Sequence, residues 1–511
     1  MGSVISTIQG TIFTVSSIIR TLSSLNTQFS SLLSRATSPP GLPVPNPTSS
    51  YWLDDPPFPA LCDIQGELPK EADVVIIGSG IAGASVAKTL LELSGQDKAS
   101  LKVVVCEARQ LCSGATGRNG GHIKSTPYEV FSAFKSKLGP QRARELVRFQ
   151  MRHLPTLLEV GAAVPVGEVR EVRTVDLFIE QKDLDKARCD VEELKEWVPE
   201  VECQVWDAEG AREEFGVNKS IAGAVSYQAG ALWPYRLVTG VWNDLLQRFP
   251  SLTISTQTAV EAVDHDLSSS YPYSVKTSRG TIKARHVIHS TNAFAPQLIP
   301  SLRGTLTGAL AHMSAQRPGA AFPASHGQLS WSIVYSPGFD YVTQRPDGED
   351  GTPGDLMIGG GFFRSREQAL DQIGVWDDSR MDALPGMHIR GVMPTTFEPR
   401  WGEGSVVKKA WTGVLGFTGD LMPFVGRVPG SVTQEGSGEW IAAGFNGEGM
   451  VWAWLSGTAL AVMVLGKEDE ELDKGVGRPG GKLAEWFPQE ELKVDRGRLK
   501  RATLQHLADG I

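Results

Sequence analysis

The stretch that decides the fold reads DVVIIGSGIAGASVAK over residues 73–88 and continues, after a helical segment, as LKVVVCE over residues 101–107. The apolar run 74–77 suits a strand that is buried on both faces. The second apolar strand ends at Glu107, where a carboxylate can accept hydrogen bonds from ribose hydroxyls. The stretch therefore predicts a strand, a helix and a second, acid-ended strand.

The glycines of this stretch have the spacing of a phosphate-binding turn. Gly78 permits the tight turn, Gly80 lets the backbone approach a pyrophosphate, and Gly83 lets the helix pack closely against the strand. The N-terminus of that helix presents free N–H groups to a diphosphate. The pattern predicts dinucleotide binding, and the alternative is a glycine-rich turn in some other parallel sheet.

Length and composition restrict the class of protein. A chain of 511 residues exceeds what one core usually serves, so we expect two domains. The formal charge of −9 and the lack of a basic stripe argue against nucleic acid as a partner. Five scattered cysteines without a CxxC spacing indicate reduced thiols and no metal site. No apolar run is long enough to span a bilayer, and Met450 to Leu465 is predicted to be a buried helix.

Residues 1–37 form an amphipathic arm without acidic residues. Its first residues, MGSVIS, match the acceptor pattern for N-myristoylation at Gly2. Three interpretations stay open: a peripheral membrane anchor on a cytoplasmic protein, a mitochondrial import segment, and a docked or disordered tail. The apolar stripe follows helical spacing and consists of Ile5, Ile8, Ile12, Val15, Ile19, Leu22, Leu25, Phe29 and Leu32. Residues 38–65 are predicted to be a proline-rich linker and lead-in, with the folded body beginning near Tyr51.

The glycine-dense loop 113–122, SGATGRNGGH, adds a family resemblance. Together with the GxGxxG turn and Glu107, it resembles the FAD-dependent D-amino-acid oxidase superfamily. Within that superfamily it is most similar to the branch of glycine oxidase, sarcosine oxidase and the bacterial gamma-glutamylputrescine oxidoreductases. Further segments resemble the family in its own order: 256–260, 286–293, 341–346 with 356–361, 411–423 and 444–449.

The resemblance implies an α/β fold in which a Rossmann-like FAD-binding domain is interleaved with a mixed-sheet substrate domain. The FAD-binding domain would comprise 66–127, 223–300 and 402–475, and the substrate domain 128–222 and 301–401. Residues 476–511 would form a C-terminal tail.

The resemblance also implies FAD as a non-covalent cofactor held by residues of these segments. They are Gly78, Ser79, Gly80, Ile81, Ala82, Gly83, Glu107, Ala108, Arg109, Thr116, Gly117, Arg118, Asn119, Gly120, Gly121, Val260, Thr291, Asn292, Ala293, Asn446, Gly447, Glu448, Gly449 and Met450. The turn 446–450 opens a helix whose N–H groups could stabilise reduced flavin. Glu448 is expected to point away from an anionic flavin.

The substrate is expected to be a small amine or amino acid. His122 could move protons or orient the flavin, with a surface or supporting role equally open. Tyr341, Arg345 and His312 are candidates for substrate capture, because arginine and tyrosine suit a carboxylate; a surface salt bridge is the other reading of Arg345. Trp411 could be an aromatic wall or ordinary core.

Two departures from the family pattern matter. Sarcosine oxidase-like relatives attach flavin through a cysteine, and this chain has no cysteine after Cys203, which excludes that linkage. The lysine that those relatives use with oxygen falls at Met357, with Lys408 and Lys409 as nearby substitutes. Oxygen is still the expected acceptor, although Met357 weakens that expectation.

The leading hypothesis is therefore an FAD-dependent oxidoreductase that oxidises a C–N bond by hydride transfer to flavin, after which the imine hydrolyses. The alternatives are a tailoring oxidase of a larger amine-bearing metabolite and a non-catalytic FAD-binding module. A NAD-dependent dehydrogenase would explain the glycine turn but not the later segments.

Overall fold

The computed structural model describes residues 27–95, 101–266, 268–430 and 436–504. These residues form one eight-stranded sheet around the βαβ unit and a second sheet of nine strands. The predicted α/β fold, a Rossmann-like unit combined with a mixed sheet, is confirmed.

The first sheet has the strand order β16-β17-β10-β1-β2-β7. The strands from β17 to β7 are parallel, β16 is antiparallel to β17, and β8 and β9 extend the sheet from β10. Val74 to Ile76 of β1 are fully buried, as the apolar run predicts. The bounds are β1 Glu71–Ile77, β2 Val103–Cys106, β7 Leu252–Ser255, β8 Val260–His265, β9 Tyr273–Thr277, β10 Gly280–His289, β16 Phe424–Arg427 and β17 Gly438–Ala443.

The second sheet has the order β15-β11-β14-β13-β12-β4-β6-β3, with β5 paired to β6. Only the β4–β12 pair is parallel, and the other pairs are antiparallel. The bounds are β3 His122–Ile123, β4 Arg170–Phe178, β5 Gln204–Asp207, β6 Gly223–Ala231, β11 Leu306–Arg317, β12 Leu329–Val334, β13 Phe339–Gln344, β14 Leu356–Gly360 and β15 Val406–Thr418.

Helices cover both sheets, and α2 lies at the centre against α8 and α11. A Cβ atom at Gly457 of α11 would lie 2.7 Å from the Ala82 carbonyl oxygen, so the glycine permits this close crossing. The bounds are α1 27–37, α2 Ile81–Ser94, α3 Pro127–Leu138, α4 Pro140–Met151, α5 His153–Ala163, α6 Gln181–Trp197, α7 Ala208–Phe215, α8 Pro234–Arg248, α9 Ala295–Leu298, α10 Ala383–Phe397, α11 Ala453–Val464, α12 Gln489–Leu492 and α13 Arg496–Arg501.

The helix predicted from Met450 to Leu465 is confirmed as α11, which begins after a short 3₁₀ turn, Gly449–Val451. Every residue of α11 is buried. Among the described residues, no helix combines the length and apolar character needed to cross a membrane.

The proline-rich segment differs from the predicted spacer. The Gly41 N–H donates to Gln297 Oε1 at 3.0 Å, and the Thr48 N–H donates to the Asp378 carbonyl oxygen at 2.7 Å. Proline content predicts an extended backbone but does not show which surface that backbone covers. Here the extended chain lies on the body of the protein.

The two ends of the chain are also packed as far as the structure describes them. Leu32 and Ala36 of α1 pack with Ala309 and Ile373, which gives the end of the arm the docked arrangement. Residues 1–26, including Gly2, lie outside the described residues. At the other end, Arg498 pairs with Asp420 at 2.8 Å, so the predicted tail is partly anchored.

Two predicted segment boundaries do not follow the sheets. The stretches 223–300 and 402–475 were assigned to the FAD-binding domain, yet they begin with β6 and β15, which pair in the second sheet. Both strands are placed by partners distant in sequence, β4 and β11. The interleaved division into two domains stays a prediction.

Candidate active site

A cavity of about 1050 Å³ begins at the carboxyl ends of β1, β2 and β10 and extends to strands of the second sheet. Ligands of open α/β sheets bind at such strand ends. The cavity brings together His122, His312 and Tyr341 with most of the residues predicted to hold FAD. Those are Gly78, Ser79, Gly80, Ile81, Ala82, Glu107, Ala108, Arg109, Thr116, Arg118, Asn119, Gly120, Val260, Thr291, Asn292, Ala293, Asn446, Gly447, Glu448, Gly449 and Met450.

The three predicted residues outside this lining are glycines with packing roles. A Cβ at Gly83 would lie 2.2 Å from the Gly78 carbonyl oxygen, so this glycine allows α2 to approach the turn. A Cβ at Gly117 would lie 2.6 Å from the Cys112 carbonyl oxygen. At Gly121 it would lie 2.3 Å from the Leu232 carbonyl oxygen.

The glycine turn and the end of β2 form one hydrogen-bonded unit, which we call the cradle (residues 78–83 and Glu107). Gly78 has φ +105°, and a Cβ there would lie 2.7 Å from the Ser290 carbonyl oxygen. Glu107 Oε2 accepts from the Ser79 N–H at 3.0 Å and from Ser79 Oγ at 2.6 Å. The residue before α2, Gly80, provides no side-chain cap, and the first N–H of the helix, that of Ile81, donates instead to Thr116 Oγ1 at 3.0 Å.

The side chain of Arg118, one of the residues predicted to hold FAD, is bound by other parts of the protein. Its Nε donates to the Ser113 carbonyl oxygen, and its two Nη atoms donate to the carbonyl oxygens of Thr412 and Thr48. Each guanidinium nitrogen is thus bound to protein, and burial lowers the pKa of Arg118 to about 10. This geometry does not support binding of phosphate or a flavin carbonyl by the guanidinium.

Asp378 is a central residue that sequence reasoning missed. Its carboxylate lies 3.0 Å from Arg109 Nη1 and 3.4 Å from Arg118 Nε, and it is almost fully buried. Both arginines were noticed, but their shared partner lies more than 250 residues away in the chain. The buried carboxylate of Asp378 lies between two guanidinium groups and so holds the segment 109–118, which lines the cavity, in place.

Five buried polar atoms of the cavity lining have no hydrogen-bond partner among the described residues: Asp183 Oδ2, Ser290 Oγ, Thr291 Oγ1, Thr307 Oγ1 and His312 Nδ1. Such atoms are rare in folded proteins because each costs free energy. A dinucleotide has many hydrogen-bonding groups that could satisfy them. Together with the close backbone approach at Gly78, they make the residues fit an FAD molecule.

His312 is held neutral in this lining. Its Nε2 accepts from the Asp382 N–H at 3.1 Å, so the neutral ring carries its proton on Nδ1. Burial lowers the pKa of His312 to about 4. The ring therefore offers one donor, Nδ1–H, that no group in the described part of the chain accepts.

His122 and Tyr341 form a second group in the cavity. Their rings stack with centroids 6.4 Å apart, and His122 Nε2 lies 2.9 Å from Ser330 Oγ. Burial, and to a smaller extent the charge of Lys124, hold the pKa of His122 well below its usual range. A Cβ at Gly120 would lie 2.2 Å from the Tyr341 ring, so the glycine allows the ring to pack over the loop.

A buried ion pair beside His122 was not foreseen from the sequence. Lys124 pairs with Asp176, whose other carboxylate oxygen accepts from Tyr128 Oη at 2.7 Å and from Tyr227 Oη at 2.8 Å. Lys124 and Asp176 both line the cavity. The available signal was that Lys124 follows His122 by two residues, the spacing that places side chains on one face of a strand.

The turn 446–450 closes the cavity near its middle. Asn446 Oδ1 accepts from the Thr418 N–H at 2.9 Å, which ties the turn to β15. Glu448 lines the cavity, while its Oε2 accepts from Gln150 at 3.1 Å and from Trp452 at 3.3 Å. Burial raises the pKa of Glu448, which favours its neutral form.

Two predicted substrate residues lie outside the cavity lining. Arg345 pairs with Glu168 at 2.6 Å, donates to Tyr51 Oη at 3.1 Å and stacks over Trp233. Trp411 is fully buried and donates to the Arg118 carbonyl oxygen at 2.8 Å. Protein groups already surround both side chains, which favours the salt-bridge reading of Arg345 and the core reading of Trp411; capture of a carboxylate and an aromatic wall stay predictions.

The lysines considered as substitutes at Met357 also lie outside the cavity lining. Lys408 pairs with Asp355 at 2.7 Å, and Lys409 pairs with Asp54. Met357 itself is fully buried in the core. The cationic group that does enter the cavity beside His122 is Lys124.

Comparison with known proteins places this site in a family. Residues 73–463 match the family described as DAO, FAD dependent oxidoreductase. Gamma-glutamylputrescine oxidoreductase of Escherichia coli is 22% identical over 77% of this chain and 84% of its own. Glycine oxidase of Geobacillus kaustophilus superposes with a TM-score of 0.61 at 19% identity, over 79% of this chain and 96% of its own. Iminodiacetate oxidase of a Chelativorans species superposes with a TM-score of 0.60 at 17% identity, over 82% and 98%.

Proposed function

Because the chain belongs to the family of FAD-dependent oxidoreductases and FAD is its cofactor, we propose that it oxidises a C–N bond of an amine or amino acid. FAD supplies the hydride acceptor. The substrate carbon loses a hydride and the nitrogen loses a proton, which leaves an imine. Water then hydrolyses the imine to a carbonyl compound and an amine. Oxygen is the proposed final acceptor of the two electrons and becomes hydrogen peroxide.

The observation that carries this proposal is the continuity of the cavity. One cavity joins the cradle to His122, Tyr341 and Lys124, so a cofactor held at one end can meet a substrate at the other. The compounds named in the three relatives, gamma-glutamylputrescine, glycine and iminodiacetate, all contain a nitrogen bonded to a CH₂ group. They support a substrate of the same chemical kind for this chain.

The residues of the cavity would share the work as follows. The cradle and the lining residues given above would hold FAD, with the N-terminal end of α2 facing the diphosphate. The neutral His122 ring would orient the substrate amine through a hydrogen bond, because its lowered pKa makes it a weak proton acceptor. Lys124 would bind a substrate carboxylate, in place of the expected Arg345. Tyr341 would form the wall against which the substrate is positioned.

A second candidate is a tailoring oxidase that acts on a larger amine-bearing molecule. The cavity lining includes aromatic side chains, among them Phe134, Phe178, Phe339 and Phe363. Phe339 is 57% exposed there, so an apolar group larger than an amino acid side chain could pack on it. Bulky aryl or alkyl amines would then be oxidised faster than glycine or sarcosine.

An anaerobic substrate screen tests the proposed function. The FAD-loaded protein is mixed with small amino acids, diamines and bulky amines, and the visible flavin absorbance is followed. Loss of absorbance with at least one amine is expected, and peroxide should form when air is readmitted. If no amine reduces the flavin although dithionite does, the non-catalytic alternative replaces the proposal. If the flavin is reduced but air yields no peroxide, the oxygen assignment alone is wrong.

A further inference from the structure

One surface of the protein carries a concentration of exposed apolar side chains. Among the described residues, eleven large apolar side chains are exposed. Five of them belong to three parts of the chain: α1, the region 338–370 and the start of α10. They are Phe29, Phe339, Leu370, Leu384 and Met387. Met387 is 69% exposed, more than any other large apolar side chain in this group. We call this surface the apolar face.

Direct contacts join these three elements. Phe362 and Leu32 both pack against the cluster of Ala36, Ala309 and Ile373, and the Phe362 ring lies 5.6 Å from that of Phe363. A Cβ at Gly338, the residue before Phe339, would lie 2.5 Å from the Phe363 ring. Phe363 therefore connects α1 to the strand that bears Phe339.

The start of α10 and the 370 region join the same surface. A Cβ at Gly361 would lie 3.0 Å from Pro385, which places the start of α10 beside the Phe362 turn. Arg35 of α1 donates to the Leu370 carbonyl oxygen at 2.7 Å. The five exposed apolar side chains thus surround one connected patch.

The exposed charges around the Phe362 turn and the start of α10 are positive. Between residues 362 and 390 the exposed charged side chains are all arginines: Arg364, Arg366, Arg380 and Arg390. The carboxylates in this stretch are partly or fully buried, and several accept hydrogen bonds, as Asp371 does from Ser365 and Asp382 from Gln372. In a chain of net charge −9, this surface is a local exception.

The N-terminal arm leads into the same surface. Leu32 and Ala36 of α1 pack on the body, whereas Phe29, one turn earlier on the stripe, is 49% exposed. Residues 1–26 precede α1, contain no acidic residue, and carry the apolar stripe and the MGSVIS acylation pattern. The apolar stripe is therefore packed on the body at Leu32 but is exposed at Phe29, one turn nearer to the start of the chain.

We propose that the apolar face and residues 1–26 together dock this protein on a membrane surface that contains anionic lipids. Apolar side chains surrounded by arginines suit the boundary between headgroups and acyl chains. An arm that supplies a second set of apolar side chains strengthens such docking. Since Phe339 and Phe363 also line the cavity, docking would bring the mouth of the cavity close to the lipid surface.

Vesicle sedimentation of the full-length protein tests the proposal. We expect binding to vesicles of phosphatidylcholine with 30% phosphatidylserine, and at least tenfold weaker binding to phosphatidylcholine alone or in high salt. Leu384→Asp with Met387→Asp should reduce binding at least tenfold, as should deletion of residues 2–26. The matched control is Val166→Asp with Val476→Asp, two exposed aliphatic residues on other elements, which should bind as the unaltered protein does.

The flavin content and thermal midpoint of each variant establish that it is folded. The proposal is overturned if the folded, unaltered protein does not sediment with anionic vesicles, or if Leu384→Asp with Met387→Asp leaves binding unchanged. It is equally overturned if the unaltered protein forms a dimer that this double variant dissociates while vesicles stay unbound. In that case the face is an interface between two copies of the chain.

Discussion

The two ends of the cavity are built on opposite physical principles. At the cradle, space is created by the absence of side chains, since Gly78 and Gly83 bring backbone atoms closer than any Cβ would allow. Beside His122, the cavity is instead lined by charges in pairs, with Lys124 against Asp176. The cradle should therefore be sensitive to added atoms, and the other end to the loss of one member of a pair.

The largest effect is expected from Gly83→Ala. The new Cβ would lie 2.2 Å from the Gly78 carbonyl oxygen and would push α2 away from the turn. We expect at least a 100-fold loss of FAD affinity, measured by the flavin-to-protein absorbance ratio and by titration of the apoprotein. Gly391→Ala is the control, because that helical glycine has open space around its Cβ position. Full flavin content in Gly83→Ala would contradict the steric account of the cradle.

A large effect is also expected when the ion pair is broken. Lys124→Met leaves the buried Asp176 carboxylate without its cation, which should cost about 3 kcal/mol of unfolding free energy. Lys124→Met with Asp176→Asn should recover part of that loss and keep FAD, yet oxidise amino acids at least tenfold more slowly. Urea unfolding and steady-state assays measure the two quantities.

The control for this prediction is Lys467→Met, which removes a solvent-exposed pair with Glu470. It should cost less than about 1 kcal/mol. If Lys124→Met is as stable as that control, the pair does not stabilise the cavity. If the double variant turns over amino acids normally, Lys124 does not bind their carboxylate.

The next expected effect is a loss of stability in acid. It concerns His153, a buried residue outside the cavity lining. Burial lowers the pKa of His153 to about 4, so the folded state keeps the ring neutral while the unfolded chain takes up a proton below its usual pKa, near 6.5. The contribution of His153 to the free energy of unfolding is therefore present above about pH 6.5 and is lost as the pH falls towards 4. The loss should be on the order of 3 kcal/mol.

His153→Gln tests this through the slope of the unfolding free energy against pH. Glu129, whose pKa is raised to about 7, acts in the opposite sense, and it is common to both proteins, so the comparison isolates His153. Between pH 6.5 and 4.5, the unfolding free energy of the FAD-loaded variant should fall less steeply, by up to about 1.4 kcal/mol per pH unit. Parallel pH profiles would mean that His153 does not contribute to acid unfolding.

The smallest effect on catalysis is expected from Arg345→Met. Arg345 lies outside the cavity lining and pairs with Glu168, so its loss should change KM for amines by less than about twofold. Stability should fall by about 1 kcal/mol, since the pair is partly buried. A large rise in KM for amino acids alone, without a change for simple amines, would restore the carboxylate role that Arg345 was first expected to have.

The cradle could be predicted from the sequence because its signals are local. The strand 74–77, the three glycines and Glu107 lie within 35 consecutive residues, and their spacing alone specifies the turn. The loop 113–122 likewise enters the cavity as a continuous segment.

The other end could not be predicted in the same way because its partners come from distant strands. Asp176 lies on β4 and Tyr227 on β6, and only the pairing of those strands brings their side chains to Lys124. Arg118 and Arg345 show the complementary difficulty. The residue type of Arg118 suits FAD and that of Arg345 suits a substrate carboxylate, but the fold places them against Asp378 and Glu168, which their sequence positions do not reveal.

The contact between Thr48 and Asp378 has a consequence for the order in which the molecule is assembled. The two residues are 330 positions apart, and Gly41, Leu42 and Pro43, just before Thr48, form part of the cavity wall. This section of wall can form its contact with Asp378 only after the chain has been synthesised to at least residue 378. The contact is therefore expected to form late in folding. Limited proteolysis should cut residues 38–48 faster in the flavin-free protein than in the loaded one. Equal cleavage rates would show that residues 38–48 pack on the body whether or not FAD is bound.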